Sequence, residues 1–327
     1  MDYYYDFESF NIAPLVKQYK GKKIEELFPH NQVISNEMGE FMDIIWKEDT
    51  ITNKFKYANT RKKLLRNLKT VYYIGEKIEK QLLRRGIETL NDLKVKKRYR
   101  NSASEIISLI KRRDYSVLCE NKYIFDIDVL FCFNVKDLLF LDIETLGIYD
   151  SPIIVVGLGF FKENVDNVVF EIHQYFARTL EEEIAICEQL QSQIFPNFKC
   201  FVTFNGRSFD IPYIANRFLY FFDNNPMIGE EDVPYEKSNT KYHHIDLYHC
   251  CRRKYKKIFN DYTLTNMEEQ LLQMKRDNEL PSNLVGTCYK KYQKDPKRYI
   301  GLVKEVIEHN YYDVYALPLI LHRMLKA

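Results

Sequence analysis

Two carboxylates one residue apart close an apolar run, Leu138-Leu139-Phe140-Leu141-Asp142-Ile143-Glu144-Thr145. Such a run reads as a buried strand, and on a strand alternate side chains share a face. Asp142 and Glu144 therefore project together. Two acids side by side repel each other and raise each other's pKa, so a cation between them is the natural reason to keep both. Oxygen ligands without thiolate suit Mg²⁺ or Mn²⁺. Ions of that kind point to metal-assisted phosphoryl chemistry.

Three further segments place acids at the ends of apolar elements. In Phe204-Asn205-Gly206-Arg207-Ser208-Phe209-Asp210 a strand ends, the chain turns, and Asp210 opens a helix. His244-Ile245-Asp246-Leu247 is the next. In His309-Asn310-Tyr311-Tyr312-Asp313 the histidine and the aspartate are four apart and share a helical face. Each has an ordinary explanation when taken singly. An aspartate at a helix start is normally a cap, and a histidine beside an aspartate is normally a surface pair.

The elements that must position these residues alternate between strand and helix over residues 137–327. Strands are expected at Leu138–Asp142, Ile153–Phe160, Val168–Tyr175, Cys200–Phe204 and His244–Leu247. Helices are expected at Leu180–Ile194, Asp210–Phe222, Leu264–Gln273 and Arg298–Leu325. Three hairpin-linked strands followed by β/α alternation imply an α/β fold, a mixed five-stranded sheet flanked by helices. A smaller, mostly helical domain precedes it over residues 61–120. There Leu64, Leu65, Leu68 and Val71 have helical spacing. A helix then follows a glycine turn at Gly75 and stops at Gly86, and a short one is capped near Thr89 or Asn91. Residues 1–60 hold a possible hairpin, Gln32 to Trp46, with its turn near Asn36 to Gly39. Tyr123 to Phe133 reads as a strand, and Asp223 to Lys241 as an exposed insertion.

The 327 residues carry a formal net charge of +2, so any nucleic-acid affinity must come from local patches. Basic stretches occur at Lys94–Arg100, at Lys111-Arg112-Arg113, and at Arg252, Arg253, Lys254, Lys256 and Lys257. Seven cysteines without a Cys-x-x-Cys pair suggest buried thiols in a reducing compartment. The acidic, aromatic start is wrong for a signal peptide. The longest apolar run, Ile153 to Phe161, is too short to span a bilayer. A cytoplasmic protein without membrane association is expected. No Gly-x-Ser-x-Gly supports a serine hydrolase.

In this order the acidic segments resemble the DEDD superfamily of 3′→5′ exonucleases, built on the ribonuclease-H-like fold. The match is to an acidic-x-acidic pair, an Asn-x-x-x-Phe-Asp segment, and a helical aspartate with histidine or tyrosine shortly before it. The local words are similar to the YprB-type branch of bacterial ribonuclease-H-like proteins. They are Phe140 to Gly147, Asp246-Leu247-Tyr248-His249 followed by Arg252-Arg253, and Glu308-His309-Asn310 with Asp313-Val314. The stretch Tyr73–Leu93 resembles a helix-hairpin-helix module, with Tyr73 where the first of two glycines often stands. Backbone N–H groups at such a turn favour a phosphate, and Lys77, Lys80, Arg84 and Arg85 add charge.

The resemblance implies that Asp142, Glu144, Asp210 and Asp313 ligate two Mg²⁺ or Mn²⁺ ions about 3.5–4 Å apart. It implies His309 as general base, its ordinary pKa lying near working pH. The spacing departs from the family. The histidine branch puts four residues between histidine and aspartate, and the tyrosine branch three; this chain has a histidine at the three-residue spacing. Orientation of Asp313 or of a phosphate is the alternative role. Thr145 and Leu146 would pack on the terminal nucleotide, Asn205 and Phe209 would shape its pocket, and Arg252 and Arg253 would track the strand. The substrate would be DNA or RNA, with no organic cofactor. A structure-selective endonuclease and a catalytically silent nucleic-acid-binding protein are the other readings. The presence of all four acids argues against silence.

Overall fold

Strand β3, Leu138–Thr145, lies inside the sheet because every side chain from Leu138 to Leu141 is buried. In chain order the other strands are β1 (Asn31–Asn36), β2 (Gly39–Glu48), β4 (Ile153–Glu163), β5 (Val168–Phe176), β6 (Cys200–Thr203) and β7 (His243–Asp246). The computed structural model describes residues 10–52, 59–163, 168–227, 242–276 and 280–326. Two units result, Met1–Lys54 with Lys136–Arg323, and Phe55–Val135 with Met324–Ala327. The sheet belongs to the first and runs β1-β2-β5-β4-β3-β6-β7. Pairing is antiparallel from β1 to β3 and parallel from β3 through β6 to β7.

The sheet has seven strands where five were expected. The predicted N-terminal hairpin forms, with its turn between Asn36 and Gly39, and then joins the sheet. It pairs β2 with β5, Met42 opposite Phe176 and Glu48 opposite Phe170. Phe41, Met42 and Ile44 are buried on both of its faces, which a free hairpin could not achieve. Asp43 clasps the junction, within 2.9 Å of His173 Nδ1 and accepting from Gln32 Nε2 at 2.9 Å. These pairings are long-range, so the local pattern of residues 1–60 showed the hairpin but not its partner.

Two glycines in β4 set the distance between sheet and C-terminal helix, Pro296–Lys326. Gly157 stands opposite Asp142 and Gly159 opposite Phe140. A Cβ on Gly157 would lie 2.4 Å from Asn310 Oδ1 and 2.5 Å from Val314 Cγ2. One on Gly159 would lie 2.6 Å from Phe170 Cζ and 2.8 Å from Val314 Cγ1. The absence of two methyl groups lets the helix settle against β3 and β4, so His309 and Asp313 arrive beside Asp142 and Glu144. On the opposite face, helices Glu183–Gln189 and Asp210–Phe222 cover Leu139, Leu141 and Ile143.

The expected helix Leu264–Gln273 is a short α-helix, Leu264–Met267, running into a π-helical turn, Glu268–Leu272. Helix Val285–Lys294 was not anticipated. The insertion expected at Asp223–Lys241 lies mostly outside the described residues.

In the second unit, helix Glu76–Arg84 starts at Gly75 and ends before Gly86, whose φ is +74°. Helix Leu90–Leu93 follows, with a reciprocal cap between Thr89 and Asp92. Tyr73 has φ +69°, a left-handed conformation natural to glycine, at the position where the resemblance places one. The strand expected over Tyr123–Phe133 is instead a 3₁₀ helix, Asp126–Cys132. Asp128 Oδ2 accepts from Phe125 N–H at 3.0 Å and turns the chain. Val129, Leu130 and Phe131 are buried consecutively, without the alternation a half-exposed strand needs. Among the described residues no helix is long and apolar enough to cross a membrane.

Candidate active site

The end of β3 carries the first two acids, and the shortness of β6 makes room for the third. Parallel pairing between β3 and β6 stops at Phe140 opposite Val202. The backbone beyond Phe140 therefore has no strand beside it on that side. Asp210, first residue of its helix, fills the gap: its Oδ1 accepts from Ile143 N–H at 3.0 Å. The turn leading to that helix is anchored by Asp246. Its Oδ1 accepts from Asn205 N–H at 2.9 Å and from Tyr248 N–H at 3.0 Å, and its Oδ2 from Arg207 N–H at 3.1 Å. These bonds hold Asn205 at φ +63°.

His309 and Asp313 come from the C-terminal helix. His309 Nε2 lies 3.8 Å from Glu144 Oε1, 3.5 Å from Asp313 Oδ2 and 3.3 Å from Ser282 Oγ. One ligand atom from each of Glu144, His309 and Asp313 falls within 4.8 Å of the others. Tyr311 is directed elsewhere, donating its hydroxyl to Glu48.

Asp142, Glu144, Asp210, His309 and Asp313 line one cleft of about 1100 Å³, together with Thr145, Leu146, Asn205 and Phe209. Arg252 does not line it. It faces a smaller adjoining cavity that shares Phe204 and Asn205, and its guanidinium sits 5.4 Å from the Tyr248 ring centre. Arg253 lines neither cavity and reaches Cys250 Sγ on its own helix at 3.8 Å. Neither arginine of helix Leu247–Lys254 therefore lines the main cleft.

Burial comes first in the electrostatics of these acids, and their mutual repulsion adds to it. Burial, then the charges of Asp313, Asp210 and Glu144, holds the Asp142 carboxyl well above the usual range, against one hydrogen bond from Asn310. Burial, then Asp313 and Asp210, does the same to Glu144. Burial, helped by Asp246 and Asp313, lifts Asp210 to about 7. Oxygen donors this crowded fit a hard divalent cation, which would relieve the repulsion.

The RNase_H superfamily profile matches residues 139–325, a span containing all four acids. The chain belongs to the RNase_H superfamily. The protein is also 26% identical over 195 residues to the uncharacterized protein YprB of Bacillus subtilis (strain 168). The match covers 59% of this chain and 43% of that relative, so the chain spans less than half of the relative's length. RNase H-like nucleases generally use divalent metals, in keeping with the donor set here.

This superfamily member holds its acids from behind with groups the sequence reading missed. Asn310, fully buried, donates from Nδ2 to Asp142 Oδ2 at 2.8 Å. Its Oδ1 accepts from Gln174 Nε2 at 2.8 Å, and Gln174 Oε1 accepts from Trp46 Nε1 at 2.8 Å. A hydrogen-bonded relay thus runs from the N-terminal hairpin to the first acid through the buried Gln174 and Asn310. Arg276 donates to Asp313 Oδ1 at 2.6 Å while its fork grips Glu268, itself 1% exposed. No sequence motif marks Arg276. Asn310, adjacent to His309 and facing a glycine strand, carried the one readable signal.

Two outcomes follow from this arrangement. Carboxyls whose pKa is raised bind more protons folded than unfolded, so their contribution to stability falls as pH rises from about 4 to about 7. In EDTA the melting temperature should drop across that window, and added Mn²⁺ should restore it most at the high-pH end. A flat or rising EDTA profile in differential scanning fluorimetry would contradict the raised acids. Secondly, Arg276→Met strands Glu268 as a buried charge and should cost about 3–5 kcal/mol in urea unfolding. Adding Glu268→Met should recover more than half. A double variant no more stable than the single one would show that the pair is not the cause.

Proposed function

We propose that this chain is a divalent-metal-dependent nuclease that removes nucleotides from the 3′ end of DNA or RNA. The observation that carries the reading is the convergence of Asp142, Glu144, Asp210 and Asp313, from three separate elements, onto one cleft with His309 among them. The superfamily match supports hydrolysis of phosphodiester bonds. The 3′→5′ direction rests on the order and wording of the acidic segments.

In this reading the four carboxylates hold two Mg²⁺ or Mn²⁺ ions, which would supply charge neutralisation and Lewis acidity at the phosphodiester. The chain's own residues do the rest. His309 Nε2, facing Glu144 and Asp313, takes the proton of the attacking water. Asn310 and Arg276 fix the rotamers of Asp142 and Asp313, so that little reorganisation is needed during reaction. Leu146 and Phe209 offer apolar surface to the terminal base, and Asn205 a polar contact beside it. In the second unit, the N–H groups at Gly75 with Lys77 and Lys80 would grip backbone phosphates without reading sequence.

The test is a gel assay on end-labelled single- and double-stranded DNA and RNA, in Mg²⁺, Mn²⁺ and EDTA. Wild type should give a ladder shortening from the 3′ end with metal only. Asp142→Ala should lower the rate by at least about 10²-fold, as loss of a preorganised charged group does. Discrete internal products would establish an endonuclease instead. Binding without cleavage by either protein would establish a silent nucleic-acid-binding module.

A further inference from the structure

Helix Val285–Lys294 has two unlike faces. Val285, Cys288, Tyr289 and Tyr292 are buried, and the Tyr289 hydroxyl donates to Ala177 O at 2.7 Å. Thr287, Lys290, Lys291 and Lys294 line the cleft that holds the four acids. Their spacing of three, four and seven puts them on one helical stripe. The start of the helix is pinned to the site. A Cβ on Gly286 would lie 2.2 Å from Leu146 O, so the helix rests directly on the backbone that follows Glu144. Three residues before the helix begins, Ser282 Oγ lies 3.3 Å from His309 Nε2. The helix thus leaves the acids at Gly286 and carries its lysines along the cleft, rising about 12 Å by Lys294.

The same cleft also has apolar lining. Leu146, Ile148, Phe204 and Phe209 face the same space, and Ile148 is 65% exposed. Cationic and apolar side chains lining one cleft match a strand whose phosphates and bases are both accessible. In a duplex the bases are turned inward on each other. Unpaired strands bind by charge along the backbone and by stacking of bases on apolar side chains.

We propose that Lys290, Lys291 and Lys294 form the phosphate path of a single-stranded nucleic acid whose end lies at the carboxylates. This rests on the nuclease reading and adds to it the path and the strandedness. It also moves the strand-tracking role from the Arg252 helix to one that the sequence reading did not foresee.

The test measures binding apart from cleavage. Fluorescein-labelled 12-nucleotide single strands, one DNA and one RNA, and the matching DNA duplex are titrated by anisotropy in Ca²⁺ at several salt concentrations. The proteins are wild type, Lys290→Gln/Lys291→Gln/Lys294→Gln, and a charge-matched control, Lys20→Gln/Lys22→Gln/Lys23→Gln, at exposed positions outside the cleft. All six lysines are at least partly exposed, so circular-dichroism melts should coincide. The cleft variant should bind single strands about 10- to 100-fold more weakly at low salt. Its slope of log K against log salt should be shallower by about 2, at ~0.7 per phosphate contact. The control should match wild type. The DNA and RNA arms identify the sugar that is accepted. Equal binding by the cleft variant, equal loss in the control, or preference for the duplex would each overturn the path. If the path fails while wild type still cleaves, the nuclease reading stands. If the path holds while wild type cleaves nothing, that reading fails alone.

Discussion

Four carboxylates crowded at the end of one strand repel each other, and much of the first unit can be understood as a response to that repulsion. Asp142 and Glu144 sit on one face of β3, Asp210 bonds to the backbone between them, and Asp313 closes the group from the C-terminal helix. Burial makes the repulsion worse by removing the water that would screen it. The protein answers with aimed donors rather than with distance. Asn310 holds Asp142, Ile143 N–H holds Asp210, and Arg276 holds Asp313. Only part of the charge is met this way. The remaining repulsion is what a divalent cation would relieve, and Arg276, balanced by Glu268, does not cancel it.

The scaffold follows from the same requirement. The C-terminal helix can deliver His309 and Asp313 only if it packs against β4 without intervening side chains, which Gly157 and Gly159 allow. Asn310 must be buried to reach Asp142, so its Oδ1 needs a partner; Gln174 supplies it and is itself held by Trp46. This gives the N-terminal hairpin a place in the functional account: it ends a polar relay whose other end is a carboxylate of the site. Unlike the acids, the lysine stripe of helix Val285–Lys294 makes its own demand on the fold, the contact of Gly286 with the Leu146 carbonyl.

What could be read from sequence was what depends on local geometry. Strand alternation placed Asp142 and Glu144 together, and helical periodicity placed His309 with Asp313. Asp210 was legible because a strand, a turn and a helix start follow one another within seven residues. Arg276 and Glu268 were not legible, because their roles depend on contacts 37 and 8 residues apart in sequence. The seven-stranded sheet was missed for the same reason, since β2 reaches β5 across more than a hundred residues. Arg252 and Arg253 were picked from a dense basic run, but sequence could not tell that neither lines the main cleft and that Arg252 lines the adjoining one. The lysines of helix Val285–Lys294 were overlooked because they are spaced along a helix whose existence was not foreseen.

The central claim is that Asp142, Glu144, Asp210 and Asp313 together form a divalent-cation site. Anomalous diffraction at the manganese edge from crystals soaked in Mn²⁺ tests it most directly. The account predicts strong peaks within bonding distance of these four side chains, with Asn310 still holding Asp142. Saturating Mn²⁺ that leaves this cluster without a peak, or that binds other residues while the four acids stay unligated, would contradict it.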